Sequence, residues 1–193
     1  MNTDENFWDW GNGILYRMCC EWPAHTRADV VAGKMWLIGR AYTASIERGA
    51  GTGGESENFY KNVALKITKC DLDSWFKSVS DIRRIDNTNL DRILAVHHDF
   101  MNILNHLTKM NRRSFASKYL HFHHPLAFFI FDSRASSKVR NTVGRVRLTV
   151  PPPCLRYDTE YAAFVLRCIE YRDADSRRHE MTPRQLDQEL LGY

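Results

Sequence analysis

"SFASKYLHFHHPLAFFIFDSRASSKVR", residues Ser114 to Arg140, sets two lysines, three histidines and one aspartate among aromatic side chains. The stretch divides at a proline. Ser114 opens a helix that runs to about His123, and Pro125 ends it, because a proline ring pushes the preceding residue out of the helical region. Pro125 to Phe131 is apolar enough to be a buried connector. Asp132 then stands where a carboxylate bonds the free backbone N–H groups of a following basic helix, Arg134 to Arg140.

The histidines do not make a metal site by spacing. His121, His123 and His124 are too close together, since helical residues one or two apart point apart, whereas i and i+4 pairs converge on one ion. His97 and His98 would join them only through a tertiary contact, and His97 reads as a half-buried packing residue. No metal and no cofactor is expected.

Charge gathers around the same stretch. From Lys109 to Arg147 nine basic residues face the single acid Asp132, so this segment carries +8 in a chain of net charge +4 and the remainder carries −4. Such an asymmetry suits a phosphate backbone. Arg112, Arg113, Arg134, Lys138 and Arg140 are the candidate phosphate contacts, and a solvated basic face without a partner is the plain alternative.

Outward from this segment, helical periods dominate. Thr26 is expected to cap a helix with Asp29 in its first turn and Val31, Met35, Ile38, Tyr42 and Ile46 on its inner face. "GAGTGGES", 49–56, reads as a Gly-rich loop, too irregular for a phosphate-binding loop. A helix follows from near Glu57, with Phe59, Val63 and Ile67 inward. Asn89 caps another, carrying Leu90, Ile93, Leu94, His97, Met101, Leu104 and Leu107. Thr159 is expected to cap a helix with Tyr161, Phe164, Val165, Cys168 and Ile169, and Thr182 with Pro183 opens a last one carrying Leu186 and Leu190. Only "GRVRLTV", 144–150, alternates like a strand. The fold class is therefore all-α, a single compact helical domain with little or no sheet. Its segments are an N-terminal arm over 1–24, the Gly-rich loop, a basic helix-connector-helix segment over 109–147 and C-terminal helices over 159–193.

Composition agrees. With 193 residues, 44% hydrophobic and 12% aromatic, the chain can bury one sizeable core. No run approaches the ~20 apolar residues of a membrane span, and the acidic start MNTDENFWDW is unlike a signal peptide. A soluble, cytoplasmic protein with no membrane partner is expected. Cys19, Cys20, Cys70, Cys154 and Cys168 are odd in number and fit neither a disulfide framework nor a CxxC site, so they read as reduced packing thiols.

A lysine early on a helix, an apolar connector, and an aspartate opening the next helix together resemble the helix-hairpin-helix DNA glycosylase superfamily. "SFASKYLHFHHP", "IFDSRA" and "TPRQLDQELLGY" are most similar to its bacterial 8-oxoguanine-glycosylase-like proteins, as is "MWLIGRAYTASIERG", 35–49. The likeness covers about the second half of the chain. It implies Lys118 and Asp132 as the catalytic pair, with "FFIFDSRA", 128–135, in place of the family's Pro-Val-Asp segment. The hairpin segment, 109–118, carries no glycine, and Arg112 and Arg113 stand where the family's hairpin would hold phosphate. The implied chemistry is excision of a damaged or modified base from DNA rather than RNA. The base is flipped out onto an aromatic such as Tyr119, Phe122 or Trp36; Asp132 stabilises charge on the sugar and either activates water or positions Lys118, which, with its pKa lowered by burial and neighbouring cations, is the amine that forms a Schiff base.

Two other readings stand beside this one. A non-catalytic nucleic-acid-binding module explains the basic segment without chemistry. A protein-interaction component of a mobile-element or antiphage system would use the N-terminal aromatics, since three of the five tryptophans (Trp8, Trp10, Trp22) fall in the first 22 residues.

Overall fold

Apolar residues three and four apart set where the helices form. Among the residues that the computed structural model describes, 7–47, 56–147 and 157–192, there are nine helices and no strand. They are α1 (Phe7–Glu21), α2 (Ala28–Ala41), α3 (Ser56–Ile67), α4 (Leu72–Val79), α5 (Leu90–Thr108), α6 (Arg113–His123), α7 (Ser133–Val143), α8 (Thr159–Asp173) and α9 (Pro183–Leu191). The chain is an all-α single domain. The described part of "GRVRLTV", 144–147, is not a strand, and the rest of it, the prolines at 151–153 and 49–55 of the Gly-rich loop lie outside the described residues.

Helix α6 lies at the centre. Phe115, Ala116, Tyr119, Leu120 and Phe122 are buried on it, and it packs against α1, α2 and α5. Each such large apolar side chain contributes roughly 1.5–3 kcal/mol on burial. Gly39 lets the end of α2 approach this helix: a Cβ there would lie 3.5 Å from the Phe115 ring and 3.4 Å from Ser45 Cα. Helix α7 packs on α8 and α9 instead, so the connector between α6 and α7 joins the two halves of the core.

That connector is buried from Ala127 to Phe131, as its apolar run predicts. Buried backbone outside a helix must find partners elsewhere, and α6 supplies most of them. His121 Nδ1 pairs with the Phe128 carbonyl at 2.8 Å, Ser117 Oγ accepts from the Phe131 N–H at 2.9 Å, and Ser114 Oγ and Lys118 Nζ both donate to the Phe131 carbonyl. The Tyr161 hydroxyl of α8 donates to the Phe129 carbonyl. Ser114, Ser117, Lys118 and His121 are spaced i, i+3, i+4, i+7, one face of a helix.

The caps agree in part with the sequence. Asp132 caps α7 by accepting from the Arg134 N–H at 2.8 Å, and Thr182 with Gln185 forms a full capping box on α9. Two caps sit one residue from the positions that the sequence suggests. Arg27, not Thr26, precedes α2, its side chain engaged with Asp29; Asp158, not Thr159, caps α8 by accepting from Tyr161 N–H. Asn89 precedes α5 but bonds backward, to the Asp86 N–H and the Arg84 carbonyl.

His97 is fully buried rather than half-buried, its ring stacked on Tyr161 at 3.6 Å. Within the N-terminal segment, α1 packs on α2 and α6 and buries Leu15, Met18 and Cys19, while Trp10 and Trp22 stay exposed. Cys19, Cys20, Cys70 and Cys168 are free thiols. No helix among the described residues is long and apolar enough to cross a membrane.

Candidate functional site

Lys118 lies on the face of α6 that turns to the connector, and it is 1% exposed. Its Nζ donates to Ser114 Oγ at 2.6 Å and to the Phe131 carbonyl at 3.0 Å, and stands 5.8 Å from the centroid of the Tyr42 ring. Burial lowers its affinity for a proton, while the charges of Asp132 and Asp187 act in the other direction. The connector carries Asp132 round to the start of α7. The two residues expected to work as a pair are therefore brought within electrostatic reach of each other.

Beside them opens a cavity of about 260 Å³. Asn12 of α1, Tyr42 and Thr43 after α2, Asp132 and Arg134 at the start of α7, and Arg184, Asp187 and Gln188 of α9 line it. Thr43 has φ +50°, a left-handed conformation that is an outlier for a β-branched residue and that gathers at functional sites. Lys118 does not itself line the cavity and stands behind the Tyr42 side of its wall.

Asp187 was not singled out by the sequence. It is 5% exposed; Arg184 Nη1 donates to its Oδ2 at 2.8 Å, and its Oδ1 has no hydrogen-bond partner. Burial raises its pKa to about 6, with Arg184 and Lys118 holding it back and Asp132 adding to the rise. Asn12 Nδ2 and Arg184 Nε are buried without partners too. Unpaired buried polar atoms are rare and each calls for an explanation. Here three of them belong to residues lining one cavity.

A larger cavity, about 700 Å³, lies between α1, α4 and the end of α6 and has no such atoms among its lining residues. Two of its lining residues, Asp73 and His123, are tied into hydrogen bonds behind its wall. Asp73 holds His25, whose Nε2 pairs with the Tyr119 hydroxyl at 2.9 Å, and the buried Lys34 donates to His123 Nε2 at 3.1 Å. Burial pushes both imidazoles below their usual range. Among the described residues no group of three or more His, Cys, Asp or Glu is placed to hold a metal ion.

The five candidate phosphate contacts divide. Arg134, Lys138 and Arg140 are exposed on α7, with Arg134 at the mouth of the smaller cavity. Arg112 is 9% exposed and donates to the Ile46 carbonyl and Thr108 Oγ1. Arg113 makes a bidentate pair with Asp158 at 2.7 and 2.8 Å and a further ion pair with Glu160. Of the aromatics expected to stack on a base, Tyr119 and Phe122 are buried in the core and Trp36 is exposed, while Tyr42 is the ring at the cavity. No protein-family model, no curated protein and no solved structure matches this chain.

Proposed function

We propose that this protein binds DNA across the exposed basic face of α7 and cleaves the N-glycosidic bond of a damaged or modified nucleotide at the cavity between α1, α7 and α9. Base excision needs the base out of the stack, an anion for the charge that builds on the sugar, and a nucleophile for C1′. Asp132 supplies the anion, the Tyr42 ring offers a stacking face, and Lys118 supplies the amine.

The observation that carries this reading is the state of Lys118. A buried amine costs desolvation energy that a structural role has to justify. Its one backbone acceptor, the Phe131 carbonyl, already receives a hydrogen bond from Ser114 Oγ at 3.2 Å. The lysine is thus surplus to the connector, deprived of solvent, and close to two carboxylates of an open cavity. Reaching C1′ requires it to release Ser114 and swing past Tyr42, and a bound nucleotide sugar is what would draw it out.

The test is strand breakage by alkali after incubation with duplexes that each carry one modified base, using the natural protein and Asp132→Asn. Breakage at the modified position, reduced at least a hundredfold by Asp132→Asn, supports excision. Salt-sensitive binding with no breakage on any duplex would assign the chain to the binding-module reading instead.

A further inference from the structure

The unpartnered oxygen of Asp187 takes no part in a reaction carried by Asp132 and Lys118 alone. Asp132 answers the charge on the sugar and Lys118 answers C1′, which leaves the departing base without a proton source. We infer that Asp187 is the proton donor to the leaving base, a third reacting group contributed by α9; this rests on the glycosylase reading.

Three observations support it. Asp187 lines the same cavity as Asp132, and both carboxylates act on Lys118. Its Oδ2 is fixed by Arg184, whereas its Oδ1 is buried with no partner, so a proton carried there has no acceptor until a ligand brings one. Its raised pKa, about 6, suits an acid that must both hold and release a proton near neutrality.

The protons then balance. The Lys118 amine attacks C1′ while the C1′–N bond breaks; the electron pair of that bond leaves with the base, and the base nitrogen takes the Asp187 proton. The new Lys118–C1′ ammonium gives up one proton to solvent water. As the C1′–O4′ bond opens, that proton passes to O4′ and the nitrogen lone pair forms the iminium. The products are the free base, the open-chain sugar bound to Lys118 as a Schiff base, and Asp187 as a carboxylate.

An abasic site has already lost its base, which gives a test that separates Asp187 from Lys118. Duplexes carrying a single 8-oxoguanine, hypoxanthine or uracil report excision; a duplex with a single abasic site, with borohydride present, reports the amine alone. Asp187→Asn is expected to lower excision at least a hundredfold and to change abasic trapping less than about tenfold. Asp187→Glu, which keeps an acid in place, is expected to recover at least a tenth of the excision, and thermal melting of each variant reports its folding.

Excision by Asp187→Asn at the natural rate would overturn the proposal. So would equal loss of excision and trapping in both variants, which is the pattern of a merely structural residue. A natural protein that traps abasic DNA but releases none of the three bases would also overturn it while leaving Lys118 in place. Absence of trapping and excision together would remove the glycosylase reading itself.

Discussion

Lys118 Nζ and Ser114 Oγ converge on one acceptor, the carbonyl of Phe131, at 3.0 and 3.2 Å. A connector buried against α6 needs that carbonyl satisfied once, and it is satisfied twice. Lys118→Met alone is therefore expected to change unfolding free energy by less than about 1 kcal/mol. Lys118→Met with Ser114→Ala leaves the carbonyl unpaired and is expected to cost about 1–3 kcal/mol more. Urea melts of the two variants and of Ser114→Ala check this, and a large loss from Lys118→Met alone would make the lysine structural.

Asp132 has two duties that substitution separates. Asparagine caps a helix about as well as aspartate, while alanine loses about 0.5–2 kcal/mol. Asp132→Ala is expected to melt lower than the natural protein, and Asp132→Asn to melt close to it. Both are expected to lose the chemistry that needs an anion, so their activities, unlike their melting temperatures, coincide.

The arginines divide by what they touch. Replacing both Arg134 and Lys138 by alanine is expected to leave stability within about 0.5 kcal/mol, as for exposed sites. It should make the slope of log affinity for duplex DNA against log salt shallower by about 0.9 for each phosphate that is no longer neutralised. Arg113→Ala leaves Asp158, whose side chain is 7% exposed, without its bidentate partner and is expected to cost about 3 kcal/mol. DNA titrations across a salt series, with chemical melts alongside, distinguish the two groups.

Acid should destabilise the fold through its buried imidazoles. Burial lowers His25 and His121 to about 4 and His97 to about 3, against 6.5 when exposed. Between pH 6.5 and about 4 the unfolded chain binds protons at these residues and the folded chain does not, so stability falls as pH falls. Each histidine contributes about 1.4 kcal/mol per pH unit across that window. His121→Gln is expected to shallow the dependence by one proton, as read from urea melts at pH 7, 6 and 5.

Much of this was legible in local sequence and some was not. The turn at Pro125, the buried run to Phe131 and the cap at Asp132 each depend on neighbours within a few residues, and all three stand in the structure. The stripe Ser114, Ser117, Lys118 and His121 is not apparent from the sequence, because its purpose depends on the connector folding back over it. Helix α4 carries Leu72, Phe76 and Val79 at i, i+4, i+7, yet its eight residues make a short signal. Counting cations could not say which face solvent, because Arg113 finds Asp158 forty-five positions away and Arg112 finds Ile46 sixty-six away. Asp187 lies outside the basic segment; its stretch "TPRQLDQELLGY" and its neighbour Arg184 are visible locally, but its place at the cavity comes from burial of α9 against the α7 end of the core.

The most direct measurement is borohydride trapping on a duplex with a single abasic site, followed by mass mapping of the modified peptide. A covalent adduct on Lys118 is expected, absent from Lys118→Gln, with the variant melting within about 1 kcal/mol of the natural protein. An adduct on another lysine, or none from a protein that still binds the duplex, would contradict Lys118 as the amine of this site.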